Sequence, residues 1–472
     1  MKKSFSFRTL TWVIALITAF SCLTLPAQSA VAPKPVKYVF LFIGDGMSIP
    51  QRMMADEYSV RAKQGKLFIN QMPWQAVTTT RSANEFITDS AASGTAIACG
   101  EKTINGRIGI DATGKRKFES VAKVAKKSGR KVGIITSITI NHATPASFYA
   151  NVLSRSNYYA IALDLINSNF DYFGGGGAVK HDDKKSKLYQ GNIYDLAAKA
   201  GYQVAHGKKA IMQLKPGSGK AFAVGAPSAI PYAIDNTPDT MRLPEFVDQA
   251  IKLLDNPNGF FIMTEGGRID SVCHSNDAAT VLQEVIEFDK AVRIAKAFAD
   301  KHPEETLIVV TGDHETGGLT LGFAGTGYKS YIENLKYQKC SLTELTRKIN
   351  AIGDSKKSVT MDDIKPLMKK YFNMAYKSDK ARTADALILT SAEEKQLANA
   401  FAEQFPNGKN KGGWAMARNI VRIFNNKCAL GWTTGAHTAL PVLTTAYGKS
   451  SDMFNGFIDN TDIAKILKQV VK

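Results

Sequence analysis

Cysteine is scarce in this chain, with five among 472 residues. That excludes a disulfide-stapled scaffold, in which dense, regularly spaced cysteines replace a core. Cys22 falls in the leader described below, which leaves Cys99, Cys273, Cys340 and Cys428. Cys99 sits in a run of small residues and reads as a buried free thiol; Cys340 and Cys428 share one late segment and could pair. Histidine is also scarce, with seven in the chain, so any clustering of them is informative. Beyond residue 25 no apolar run reaches the ~20 residues of a membrane span. Acidic residues number 42 against 60 Lys and Arg. No long basic run interleaved with aromatics accompanies that excess, so a dedicated nucleic-acid module is not indicated. No internal repeat occurs. The stretch "FGGGGAVKHDDKK" lacks the Lys-Ser/Thr ending of a nucleoside-triphosphate loop and reads as a turn.

What is present begins with a leader. Lys2, Lys3 and Arg8 precede an apolar stretch from Leu10 to Leu25, and Pro26-Ala27-Gln28-Ser29-Ala30 offers small residues for cleavage. Residues 1–30 therefore read as a secretory signal peptide, and the mature chain as a periplasmic or secreted protein. Bulky Phe20 fits poorly ahead of a lipid-attachment cysteine at Cys22. Without the three leader cations the net charge drops from +18 to +15. Such a balance attracts polyanions or anionic substrates such as phosphate esters. A hydrophobic fraction of 44% and a charged fraction of 22% are ordinary for a globular protein.

Continuous apolar runs then recur, each ending in polar residues. "YVFLFI" runs into Gly44-Asp45-Gly46, "KVGIITS" into "ITINHATP", "GFFIMTE" into "GGRID", and "TLIVVTG" into Asp313-His314; "LPVLTTAYG" comes late. Runs of this kind are strands buried on both faces. Helical patterns lie between them, over Phe118–Lys127, Leu243–Leu254 and Ala278–Ala299. The alternation predicts an α/β fold, a central, mostly parallel sheet with helices on both faces. In such sheets function gathers at the carboxyl ends of the strands.

Those ends carry Asp45, Asp89-Ser90, His142, Thr144, Glu265, Asp270, His274, Asp313, His314 and His437. Four of the seven histidines are among them. Asp270 and His274 stand four apart, on one face of a helical turn. Imidazole with carboxylate suits zinc and all-oxygen sets suit magnesium, and paired metals suit in-line phosphoryl transfer. "TDSAASGTA" reads as the start of a tightly packed helix with Ser90 at its N-terminus, where an anion could dock. A plain Asp/Ser cap on a buried helix is the simpler alternative.

"GDGM", "TDSAASGTA", "ATP…SR", "EGGRID…H", "GDHE" and "GAHT" occur in one order. Together they resemble the alkaline phosphatase family over nearly the whole mature chain except a helical insertion described below. The resemblance implies a three-layer α/β sandwich with a central sheet of about ten strands, two zinc ions, one magnesium and a phosphoserine intermediate. It implies Ser90 as nucleophile and Arg155 as the phosphate clamp, a residue that would otherwise pass as an ordinary surface arginine. Asp270, His274 and His437 would hold the first zinc, and Asp45, Asp313 and His314 the second. Asp45, Thr144 and Glu265 would hold magnesium. The partners implied are small phosphate esters, with no membrane span; a homodimer is left open. A phosphodiesterase, a sulfatase and a non-catalytic phosphate- or polyanion-binding protein are the competing readings.

Three positions depart from the family pattern. His142 stands where some members place an aspartate near magnesium, as a neighbour of that metal. Ser271 replaces a lysine or histidine that reaches phosphate through water. Cys273 adjoins His274 and reads as a neighbour of the zinc ligands. The domain plan is a leader over 1–30, an α/β domain over 31–324 and 436–472, and a helical insertion over 325–435. The insertion holds 19 Lys and Arg against 10 Asp and Glu. It is expected to form a cationic lid or rim, with a solvated outgrowth or a dimer contact as the alternatives.

Overall fold

The computed structural model describes residues 36–472 apart from residue 381, so the leader lies outside the described residues. Strands are numbered in chain order: β1 Tyr38–Gly44, β2 Trp74–Thr79, β3 Lys131–Thr139, β4 Tyr172–Gly176, β5 Tyr202–His206, β6 Lys220–Ala226, β7 Phe260–Glu265 and β8 Thr306–Gly312. They continue as β9 Glu315–Thr316, β10 Leu319–Thr320, β11 Met374–Ala375, β12 Leu387–Ile388, β13 Gly431–Trp432, β14 His437–Thr438, β15 Val442–Gly448 and β16 Gly456–Asp459.

Strand β1 shows why the chain forms three layers. Tyr38, Phe40 and Phe42 point into one hydrophobic core, and Val39, Leu41 and Ile43 into another. The side-chain period of a strand is two residues, so a wholly apolar run serves both faces at once. Ten strands form the sheet in the order β16-β2-β15-β8-β1-β7-β3-β4-β6-β5. Within it β15 alone runs against the others, pairing antiparallel with β8 and β2. The expected mostly parallel sheet of about ten strands is therefore present. Helices Leu243–Leu254 and Ala278–Ala299 cover the first face. Helix Ser90–Cys99 and the C-terminal helix Asn460–Val470 cover the second.

Three sequence readings need correction. The glycine-rich stretch is a turn only in its second half: Tyr172–Gly176 is a strand between β3 and β6, and turns follow from Val179. Its glycines fit because the neighbouring chain crowds it; a Cβ on Gly175 would stand 2.7 Å from the Thr136 carbonyl oxygen. The helix expected from Phe118 starts at Val121, where the Ser120 side chain caps it by accepting from the Lys123 amide. Cys340 and Cys428 do not pair; both are buried free thiols, as are Cys99 and Cys273.

Helices Leu342–Ser355, Met361–Phe372, Ser391–Gln404 and Ala415–Lys427 fill the segment between β10 and β13. Their apolar faces, with Leu345, Ile349, Met368 and Phe424, join the first core without a break. Antiparallel pairs close the neck of this segment, β10 with β13 and β9 with β14. Among the described residues no helix is long and apolar enough to cross a membrane.

Candidate active site

Strands β8, β1, β7 and β3 are parallel neighbours in the sheet. Parallel neighbours end on one edge, so their C-terminal tips deliver Asp313, Asp45, Glu265 and the His142–Thr144 turn to one place. The register sets Gly44 beside Gly312 and Ile43 beside Glu265. Asp45, Glu265, Asp313 and His314 are fully buried, and Asp270 is nearly so.

The fourth histidine comes from far along the chain. The β9–β14 bridge pairs His437 with Thr316, two residues after His314. The His314 and His437 rings stack with centroids 3.7 Å apart. His437 donates Nδ1–H to the Thr88 carbonyl at 2.8 Å, and His274 donates Nδ1–H to the Gly435 carbonyl at 2.7 Å. A carbonyl oxygen only accepts, so each of these Nδ1 atoms carries a hydrogen and each ring turns its Nε2 inward. The two Nε2 atoms lie 3.3 Å apart, and Asp270 approaches them at 3.3 Å from His274 and 3.6 Å from His437. His314 Nε2 lies 3.3 Å from Asp45 Oδ1 and 3.2 Å from Asp313 Oδ2. Ser90 Oγ is 3.1 Å from the same nitrogen.

Ser90 is the first residue of its helix, and the Asp89 side chain caps that helix by accepting from the Ala92 amide. The small residues let the helix come close. A Cβ on Gly94 would meet Ser147 Oγ at 2.8 Å and Thr144 Cα at 3.3 Å. Ser93 Oγ also donates to the Asp313 carbonyl at 2.6 Å. Both the cap reading and the docking reading of this stretch are therefore compatible with the geometry. Asp89 has a further contact that sequence reasoning did not foresee. Its Oδ2 accepts from Arg155 Nη1 at 3.0 Å, and Arg155 Nη2 donates to His142 Nε2 at 3.1 Å. Glu315 and Thr316 were also overlooked. Glu315 accepts from Gln51 Nε2 at 2.7 Å and from the Gly318 amide at 3.0 Å, bracing the turn; Thr316 Oγ1 donates to Asp270 Oδ1 at 2.6 Å. Their position inside "GDHETGG" was the available signal.

Three groups in this site have ligand atoms close enough to share an ion: Asp270 with His314 and His437, Asp45 with Asp313 and His314, and Asp45 with His142 and Glu265. Thr144 Oγ1 adjoins the third group, 3.5 Å from Asp45 Oδ2. Cysteine is not part of them; Cys273 Sγ lies 4.0 Å from Gln51 Nε2. Ser271 Oγ turns back to the Gly267 carbonyl at 3.4 Å.

The electrostatics explain why cations fit. Burial pushes the Asp45 carboxyl well above its ordinary range, and repulsion from Asp313, Asp270 and Glu265 adds to it. Burial likewise lifts Asp313 to about 8 and Glu265 to about 7. Asp270 goes the other way: its His274 hydrogen bond and the nearby imidazoles outweigh burial. That same bond raises His274 to about 9, whereas burial drives His314 well below its ordinary value and His142 down to about 4. Asp45 Oδ1, Asp313 Oδ2, Glu265 Oε1 and His142 Nδ1 are buried with no hydrogen-bond partner. Among the described residues no lysine or arginine pairs with Asp45, Glu265, Asp270 or Asp313; the ion-pair partners of Asp45, Asp270 and Asp313 are histidines. Buried acceptors left unsatisfied are costly, and divalent cations are the groups that satisfy several at once.

The sequence model of the alkaline phosphatase family matches residues 36–472. Alkaline phosphatase 3 of Bacillus subtilis (strain 168) is 33% identical over 443 residues, which span 91% of this chain and 88% of that protein. The crystal structure of a cold-active alkaline phosphatase from the psychrophile Shewanella sp. superposes with a TM-score of 0.78 at 27% identity, covering 92% of this chain and 100% of that one. The Thermus thermophilus alkaline phosphatase does so with a TM-score of 0.78 at 26% identity, covering 93% and 92%. A cluster of buried carboxylates and imidazoles at the strand tips, on a sheet shared with these proteins along almost the full length of the described chain, has one reading: the chain belongs to the alkaline phosphatase family.

Proposed function

We propose that this chain is an exported phosphate monoesterase that works through a phosphoserine at Ser90 and depends on zinc and magnesium. The observation that carries the reading is the place of Ser90 Oγ, buried and 3.1 Å from His314 Nε2, in a site whose buried acceptors lack hydrogen-bond partners. Asp270, His274 and His437 would hold one zinc, Asp45, Asp313 and His314 a second, and Asp45, Thr144 and Glu265 magnesium, with His142 beside it. Such cations supply Lewis acidity for the phosphoryl oxygens and lower the pKa of bound hydroxyls.

The chain's own groups do the rest. The free N–H groups of the first helical turn and the helix dipole favour negative charge at Ser90. Ser90 Oγ displaces the alcohol from phosphorus, and water then releases phosphate from the seryl ester, so the P–O bond formed in the first step breaks in the second. Arg155 offers a planar fork to two phosphoryl oxygens, and Asp89 holds the fork at the right angle. The leader over residues 1–30 supports export.

The test is to quench the enzyme during turnover of p-nitrophenyl phosphate and look for a phosphorylated peptide. Phosphate on the peptide containing Ser90, and its absence in Ser90→Ala with the metal content unchanged, is the expected result. Turnover of a phosphodiester or sulfate ester in preference to monoesters would overturn the substrate class.

A further inference from the structure

Beside the His274 edge of the site lies a cavity of about 720 Å³ whose walls include His274, Phe323, Trp414, Arg418, Arg422 and Trp432. We propose that this cavity is a leaving-group subsite that selects phosphate monoesters carrying a planar ring and a second negative charge. The proposal rests on the monoesterase reading, because it assigns the space next to that site to the alcohol portion of the ester.

Helix Ala415–Lys427 builds one wall. Trp414, Arg418 and Arg422 follow at intervals of four along one exposed edge, while Met416, Ile420, Val421 and Phe424 are buried behind them. Spacing of four keeps these three positions on one face of the helix. The Arg418 guanidinium lies over the Trp414 ring, 4.4 Å from its centre. Phe323, across the cavity, is 37% exposed and Trp414 is 53% exposed, a large aromatic surface for a water-facing wall.

The charges point to an anion. Arg61, Arg116 and Arg347, also on the surface, each pair with a carboxylate. Among the described residues neither Arg418 nor Arg422 does; Arg422 Nη2 and Nε donate to the neutral Gln396 side-chain oxygen at 2.8 and 3.1 Å. Two guanidinium groups without counter-ions, flanked by aromatic faces, suit a ligand that stacks a ring and presents an anion. The volume lies within the usual range for small-molecule sites. His274 lines the cavity and also approaches Asp270 and His437 at 3.3 Å, so an ester seated on the site would extend its alcohol portion toward this wall.

The experiment compares adenosine 3′,5′-bisphosphate, adenosine 5′-monophosphate and glycerol 2-phosphate with the wild-type enzyme, Trp414→Ala, and the Arg418→Ala/Arg422→Ala double variant. The ratio of kcat/KM for the bisphosphate over glycerol 2-phosphate should fall about tenfold in each variant, the scale of one lost stacking contact. The monophosphate should respond to Trp414→Ala more than to the arginine variant. Calorimetric binding of the bisphosphate to Ser90→Ala should weaken with the same substitutions and with added salt. Substrate ratios and binding unchanged by both variants overturn the subsite. Absence of turnover for every ester overturns the monoesterase reading instead, and the binding measurement then decides the subsite by itself.

Discussion

The floor and the rim of the site are built on opposite electrostatics. On the floor, Asp45, Glu265 and Asp313 are fully buried, and burial holds their carboxyls toward the protonated form. On the rim, His274 is exposed and hydrogen-bonds Asp270, so each favours the charged state of the other. The floor is made by parallel strand tips, which are stiff and fixed by the sheet. The rim is made by a short helix and a two-residue bridge after the insertion. A site assembled this way has a rigid, strongly cation-demanding half and a half whose ligands already have partners.

Ser90 lies where the halves meet, and its loss should have the largest effect. Ser90→Ala is expected to lower kcat/KM by several orders of magnitude while keeping the metal content, since the metal-facing groups remain. Near wild-type turnover with a full metal count would separate Ser90 from the chemistry.

His314→Ala and His274→Ala compare floor with rim directly. Both should weaken metal binding and hydrolysis together, His314→Ala more severely, because it strips the floor of an imidazole shared by two of the ligand groups. His274→Ala should cost on the order of 10–100-fold in activity, partly recovered by excess zinc. Equal losses, measured by metal analysis and turnover, would erase the distinction. Asp89→Ala should cost about tenfold or more in kcat/KM by freeing the Arg155 fork, with some stability lost from the helix cap. Asp89→Asn, which keeps the cap but loses the charge, should fall between the two.

The contrast also predicts pH dependence for the metal-free protein. The floor carboxyls have folded pKa values above their ordinary 3.8 for Asp45 and Asp313 and 4.5 for Glu265. Through these three groups the folded state holds more protons than the unfolded one between pH about 4 and about 8, so they make stability fall across that window, opposed below about pH 6.5 by His314 and His142, whose pKa values are lowered on folding. His274, raised from 6.5 to about 9, adds to the fall at its upper end, because its stabilising protonation is lost as pH rises. Asp270, lowered from 3.8, contributes stability that is complete above that pH. Thermal unfolding of chelator-treated protein from pH 5 to 9 should show a declining Tm, and adding zinc and magnesium should flatten the decline. A Tm that rises with pH would contradict the buried-carboxylate account. Least affected of all should be His181→Ala, His206→Ala and His302→Ala, whose positions lie outside all three ligand groups; activity within about twofold of wild type is expected.

How much of this was legible in the sequence depends on range. Leu243–Leu254 and Ala278–Ala299 were readable to the residue because their apolar periodicity is local. Asp45, Glu265 and Asp313 stood out because each directly follows or ends a strand built on a continuous apolar run. Tyr172–Gly176 was not legible, since its strand character comes from β3 and β6 on either side and not from its own glycines. The helical character of the insertion was visible, but the core it shares with the main sheet was not.

The sequence by itself determined the chemistry at hand: which acids, imidazoles and hydroxyls exist, which sit at the ends of buried strands, and that Ser90 opens a helix of small residues. These follow from side-chain type and from periodicities of a few residues. Only the tertiary structure decided which of them meet. Asp89 joins Arg155 across 66 residues, and His274 faces His437 across 163. Contacts of that span are fixed by strand order and by the β9–β14 bridge that returns the chain after the insertion. Strand order reflects how whole layers bury their apolar faces, a free energy summed over both cores and not encoded at any single position.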